Sequence, residues 1–285
     1  LNRRVPSYIG MLPFWFAQYM VAHNKTYADD AALGAALAAA ESAKRVVDAH
    51  VPTSYTLALN PRSDARHVST PWTLPDHPTH TPPRRLQVLP ARFDWRDYMT
   101  FSPSVDQGTC NACFAFAAAG VLEYWAHKLN KTVSAQHLVD CTPQPCGGGV
   151  VDRIFEWGGP YGVDTPYDGH KHACRTEGSL YATDYTVLLD DVEDHLEHAL
   201  MVSPVAVGVD SGSSHFAFYK SGVLTSDACN KQIDHAMLVV GYTPDYWILK
   251  NSYGPAWGED GYMRLEKHKN ACGINTYATY VTAAV

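Results

Sequence analysis

Charged residues are scarce in this chain: Asp, Glu, Lys and Arg make up 18% of its 285 positions, and no apolar run approaches the ~20 residues that a membrane-spanning helix requires. No block of Lys or Arg occurs beyond Arg84-Arg85, and the formal charge is -7. Neither nucleic acid nor a membrane is therefore expected as a partner. No second Cys-x-x-Cys pair with a nearby His accompanies Cys110-Asn111-Ala112-Cys113. That argues against a zinc module, and no metal or cofactor is expected. A signal-like apolar region is also missing at Leu1, so either a signal was removed or the sequence is an excerpt. With 46% apolar residues, a soluble globular protein follows, able to bury roughly three quarters of its unfolded surface.

Residues 1 to about 50 contain no cysteine and read as two helices. Pro13 to His23 carries aromatic and apolar side chains at helical spacing, and Asp30 to Asp48 is Ala-rich with a stripe through Leu33, Leu37 and Val47. Tyr55 to Leu59 reads as a short strand. Between Pro71 and Arg85 the prolines Pro71, Pro75, Pro78, Pro82 and Pro83 forbid regular structure, which predicts an extended, protease-exposed connector. Beyond it Ala112 to Asn130 and Ser134 to Asp140 read as helices, with Ser134 as N-cap. From Pro204 onward the sequence turns strand-like, at Val205–Val209, Ala236–Tyr242, Tyr246–Lys250 and Gly261–Leu265.

Four polar side chains supply a complete acyl-transfer chemistry. Cys113 stands where a loop gives way to the run Phe114 to Leu129, so its sulfur is expected at a helix N-terminus, where the dipole favours the thiolate. His235 can act as base and then acid, Asn251 can hold its ring, and Gln107 can join the Cys113 backbone N–H in binding an oxyanion. The seven cysteines leave an odd one, either a reactive thiol or an intermolecular bridge. Buried reduced cysteines, or some as zinc ligands, are the alternatives. His170, His172, His215 and His268 stand among loop-like residues and are expected to be solvated, and Glu266 to Lys269 reads as a charged surface turn. His23, His50, His67, His77 and His80 crowd the N-terminal segment and can titrate near endosomal pH. Asn24-Lys25-Thr26 and Asn130-Lys131-Thr132 are glycosylation sequons, at Asn24 and Asn130.

The order Gln107-Gly108-Thr109-Cys110-Asn111-Ala112-Cys113-Phe114-Ala115-Phe116, Leu138 to Cys141, Asp234-His235-Ala236, Tyr246 to Ser252 and Trp257 to Tyr262 resembles the papain-like cysteine proteases, from about Leu89 to the C-terminus. The local signature reads Cys-Asn-Ala-Cys-Phe, and Tyr253 stands where the family has Trp after Asn-Ser. The resemblance implies an α+β fold of two domains, a helical left one (89–200) carrying the nucleophile and an antiparallel, barrel-like right one (201–285) carrying His235 and Asn251. It further implies disulfides Cys110–Cys146, Cys141–Cys174 and Cys229–Cys272, with Cys113 free, and hence an oxidising compartment: the secretory pathway, ending in a lysosome-like acidic compartment or outside the cell.

Residues 1–88 resemble an inhibitory prosegment of the cathepsin L-like kind. Ala58-x-Asn60-x-Arg62-x-Asp64 keeps the Asn and Asp of the family's Gly-x-Asn-x-Phe-x-Asp motif. Positions implied for substrate are Gly148 and Gly149 of a glycine-rich wall, then Val150, Val151, Gly208, Asp234, Ala236, Trp257 and Tyr277. Tyr277 is expected to shorten the S2 pocket and so favour Val and Leu over Phe at P2. The implied partners are protein or peptide substrates, the chain's own prosegment and protein inhibitors of cysteine proteases, with a monomer expected. The function implied is a latent cysteine endopeptidase; the alternative is a catalytically weak homologue serving as a binding or decoy protein.

Overall fold

The computed structural model describes residues 12–65, 72, 74, 88–143, 146–162 and 164–285. The connector prolines, Arg84-Arg85, His67, His77 and His80 lie outside the described residues. The N-terminal segment forms helices α1 (Phe14–Ala22) and α2 (Asp30–Ala49). Asp29 caps α2, its carboxylate accepting the Ala32 N–H at 2.8 Å. Phe16, Tyr19, Leu33, Ala36 and Ala40 close a small core separate from the main one. The small side chains of α2 let the two helices approach closely. Strand β1 (Tyr55–Leu57) then leaves this module and joins the main sheet.

The rest of the chain runs β2 (Phe93–Asp94), α3 (Cys113–Leu129), α4 (Ala135–Cys141), α5 (Asp152–Trp157), β3 (Ala182–Leu189), α6 (Glu193–Leu200), β4 (Val205–Val209), α7 (Ser214–Ala217), β5 (Tyr219–Leu224), β6 (His235–Tyr242), β7 (Tyr246–Lys250), β8 (Tyr262–Glu266) and β9 (Tyr277–Ala284). The sheet order is β1-β5-β8-β7-β6-β4-β9-β3, with β2 paired to β6. Buried on both faces, β6 reads as the unbroken apolar run Ala236 to Val240. Helix α3 packs against β6, so the element that begins with Cys113 lies on the strand that begins with His235. Ser134 caps α4 by accepting the His137 N–H.

The three disulfides are Cys110–Cys146, Cys141–Cys174 and Cys229–Cys272, and Cys113 is free. Closing loops of 36, 33 and 43 residues, each contributes roughly 3–4 kcal/mol in the chain-entropy account. Among the described residues no helix is long and apolar enough to cross a membrane.

Three expectations need correction. The sheet draws β2 and β3 from before residue 201, because Ala182–Leu189 pairs along β9 and Phe93–Asp94 along β6. His215 is not solvated: its Nδ1 meets the Tyr55 hydroxyl at 2.6 Å and its ring lies 5.6 Å from His50. Nor is Lys267 on a surface turn. It is 4% exposed, paired with Glu197, and its ammonium sits 4.4 Å from the Trp247 ring centre and 4.8 Å from that of Tyr242. Its aliphatic stem and the two aromatic faces exclude water around the charge.

Candidate active site

Cys113 is the first residue of α3, and Ala112 before it offers no side-chain cap. The leading N–H groups are thus open toward the sulfur, and the backbone N–H of Ala236 adds a further donor. Even so, burial pushes the Cys113 thiol up to about 11, with the Asp234 carboxylate adding to the effect and the backbone donors only partly offsetting it. Asp234 itself is held by Ser211, whose N–H and hydroxyl donate to it at 2.7 and 2.9 Å. Enclosure thus favours the neutral thiol at Cys113.

His235 opens β6 and is buried. Its Nε2 meets Asn251 Oδ1 at 2.8 Å, and the same oxygen accepts the Ser252 N–H at 2.8 Å. An acceptor at Nε2 fixes the proton there, leaving Nδ1 as the basic nitrogen. Tyr253 covers this contact, its ring centre 4.9 Å from that of His235. The ring is backed by Trp257 at 5.7 Å. Trp257 is fully buried and packs on Phe216, Tyr219 and Tyr253. That corrects its expected place on the substrate wall, since its ring is spent on supporting Tyr253.

Gln107 is buried, and both ends of its amide are held. Oε1 accepts the Ser252 hydroxyl at 2.6 Å, and Nε2 donates to the Cys110 carbonyl at 3.0 Å. The amide's second N–H remains for another acceptor. Sequence reading missed Ser252 as the anchor of Gln107; its position directly after Asn251 was the available signal. Asn111 faces solvent.

Gly148 and Gly149 follow the disulfide at Cys146, and a Cβ on Gly149 would come within 3.1 Å of the Phe114 ring. Phe114 therefore packs directly beneath the glycine wall. Gly208 and Ala236 are cross-strand partners, and Val151 is buried with Val150 half-buried. Tyr277 is fully buried; its hydroxyl donates to Asp152 Oδ1 at 2.6 Å and accepts the Asp152 N–H at 3.1 Å. Its ring cannot swing aside without breaking both bonds.

The N-terminal segment reaches these residues at two places that sequence reading did not single out. Arg62 lies on Tyr253, and Trp72 lies edge-on to Tyr277 at 5.8 Å, its backbone N–H donating to the Ile233 carbonyl at 3.0 Å. Trp72 carries no local sequence signal; Arg62 carries one only as a departure from the prosegment motif, and the partners of both lie far along the chain. Asn24 and Asn130 are both exposed at helix ends.

Residues 89–282 match the model of the papain family cysteine proteases. A cathepsin L-like protein of Caenorhabditis elegans is 37% identical over 70% of this chain and 65% of its own length, and human cathepsin L2 is 39% identical over 67% of this chain and 65% of its own. The match thus spans about two thirds of these relatives. Among solved structures, a recombinant stem bromelain precursor superimposes with a TM-score of 0.81 at 29% identity, covering 94% of this chain and 97% of that one. A digestive procathepsin L 3 of the Tenebrio molitor larval midgut gives 0.78 at 27% identity, over 94% and 98%. The chain belongs to the papain family of cysteine proteases.

Proposed function

We propose that the chain is a cysteine endopeptidase made as a latent zymogen, with residues 1–88 as its inhibitory prosegment and two lobes, the right one completed by β2 and β3 from before residue 201. The observation that carries this reading is the His235–Asn251 bond sealed under Tyr253, beside a cysteine that starts a helix. Once the groove is open to substrate, His235 Nδ1 takes the Cys113 proton. The thiolate attacks the scissile carbonyl carbon, and the C=O π pair moves to oxygen, where the Cys113 N–H and the free N–H of Gln107 receive it. Collapse breaks the C–N bond, and the imidazolium returns its proton to the leaving amine. Water then attacks the thioester with His235 as base, releasing the acid and restoring the thiol.

Arg62 on the His235 side and Trp72 on the Gly208 side support a prosegment that crosses the groove from the leaving-group side to the acyl side, opposite to a substrate. Tyr277, tethered to Asp152, supports a short apolar S2 pocket with Val and Leu preferred at P2 and Arg disfavoured, by about 1–3 kcal/mol of pocket discrimination. The indole of Trp72 against Tyr277 favours a second reading, an aromatic P2. A secretory route to an acidic compartment or the exterior accords with three disulfides, and proteins or peptides are the substrates, with a monomer as the working unit.

The test is Cys113→Ala, which abolishes hydrolysis and labelling by an active-site-directed epoxide while leaving the fold intact. Wild-type protein that takes no label after prosegment removal would establish the decoy alternative. A library varied at P2 decides between aliphatic and aromatic readings, and Tyr277→Ala broadens the profile if the tethered ring limits the pocket.

A further inference from the structure

Arg62 stands where the family's prosegment motif carries Phe, and its guanidinium is held in a built site. The Arg62 guanidinium Nη1 donates to Asp106 Oδ1 at 2.6 Å and to the Gly108 carbonyl at 3.4 Å, and the guanidinium carbon lies 4.2 Å from the Tyr253 ring centre. A carboxylate, a carbonyl and an aromatic face thus converge on one planar cation. Asp106 and Tyr253 are joined by an antiparallel backbone bridge, so the two halves of the site are fixed to each other and do not depend on Arg62 for their spacing. Asp106 Oδ1 also accepts the Gly108 N–H at 2.9 Å, which orients the carboxylate.

The position of this site relates it to the reaction. Tyr253 lies on His235, the group that delivers a proton to the departing amine, whereas Gly149, Gly208 and Tyr277 wall the other end. We infer that Asp106, Tyr253 and the Gly108 carbonyl form a recognition site for a substrate arginine on the leaving-group side of the scissile bond, occupied by Arg62 in the latent chain and vacated on activation. The inference rests on the endopeptidase reading. Lysine fits less well, because an ammonium is more strongly hydrated and lacks the flat face that stacks on the phenol. A glutamate meets Asp106 directly and is disfavoured.

The experiment folds the full chain, cleaves its prosegment, and compares quenched peptides that carry Arg, Lys, Leu or Glu at the first or second residue after one fixed scissile bond. Arg exceeds Leu in kcat/KM by about tenfold at one of these positions, the scale of one exposed ion pair plus one cation–π contact. Asp106→Asn keeps the acceptor for the Gly108 N–H and shrinks the Arg-to-Leu ratio to about twofold; Asp106→Lys turns the preference toward Glu. A parallel arm measures binding of the Arg and Leu peptides to the processed Cys113→Ala protein, where no turnover is needed. An Arg preference missing from wild type, or unchanged in Asp106→Asn, overturns the inference. If no peptide is cleaved, the endopeptidase reading falls, and the binding arm still decides the site: tighter Arg binding that depends on Asp106 upholds it, and equal binding overturns it.

Discussion

At the scale of single residues, Cys113 shows two opposing effects on one atom. The helix terminus favours a thiolate and enclosure disfavours it; enclosure wins, and the thiol stands near 11. The full chain is therefore expected to react slowly with iodoacetamide at pH 7, and the processed chain at least tenfold faster; equal rates would show that the prosegment does not govern the thiol. Lys267 poses a different question. Removing a buried cation leaves Glu197 without its partner and two aromatic faces without their cover, so Lys267→Ala is expected to cost about 3 kcal/mol. Lys267→Met keeps the packing and, with Glu197→Gln, recovers most of that loss in urea titration. Cys113, His235, Asn251 and Gln107, the residues proposed for catalysis, could be named from sequence because their chemistry is local in type and their blocks stand in family order. Lys267 was not, because its environment is built by Tyr242, Trp247 and Glu197 from three different elements.

Among elements, pH acts on the N-terminal segment twice, on its own fold through Asp64 and on its docking through His215. Asp64 receives the Tyr27 hydroxyl at 2.7 Å and Lys25 at 2.9 Å. Burial alone would raise its pKa, but those bonds outweigh it and hold the group below its usual 3.8. A lowered carboxylate stabilises the fold above its unfolded pKa, and that stabilisation is lost only as pH falls through the folded value, below about 4. His215 responds earlier. Burial, and next the nearby His50, lower its pKa from 6.5, while Asp227 opposes them. Its neutral form is the one that fits, so docking weakens once pH falls below about 6.5. Onset of activity on acidification is thus expected in two stages. His215→Gln removes the stage that begins as pH falls below about 6.5, and Asp64→Asn loosens the segment already at pH 7. A single transition unmoved by His215→Gln would refute the assignment. Helices α1 to α4 and strands β4 and β6 to β8 were readable from period and capping. Strand β3 was not, since its first half, Ala182 to Asp184, is largely exposed and breaks the alternation, and α6 offers only eight mostly polar residues.

For the whole molecule, the site forms where the N-terminus of α3 meets the start of β6, and the sheet that carries β6 is assembled from strands spread over almost the entire chain, from Tyr55 to Ala284. That spread explains why the two-lobe division was approximate in sequence: partners such as Phe93 and Tyr242 are set by register, which no local window contains. The prosegment's strand β1 lies at one end of this sheet, against β5. Its contact is close enough that a Cβ on Gly222 would fall 2.2 Å from the Ser54 carbonyl, and the Val223 N–H donates to that same carbonyl at 2.7 Å. When the prosegment departs, the amides of β5 that faced it turn to water, and the sheet acquires a raw border. On the zymogen reading proposed above, removal of residues 1–88 thus exchanges one liability for another: the cleft is freed, but the processed chain would bear a seam to which a foreign strand, or a second copy of itself, can knit.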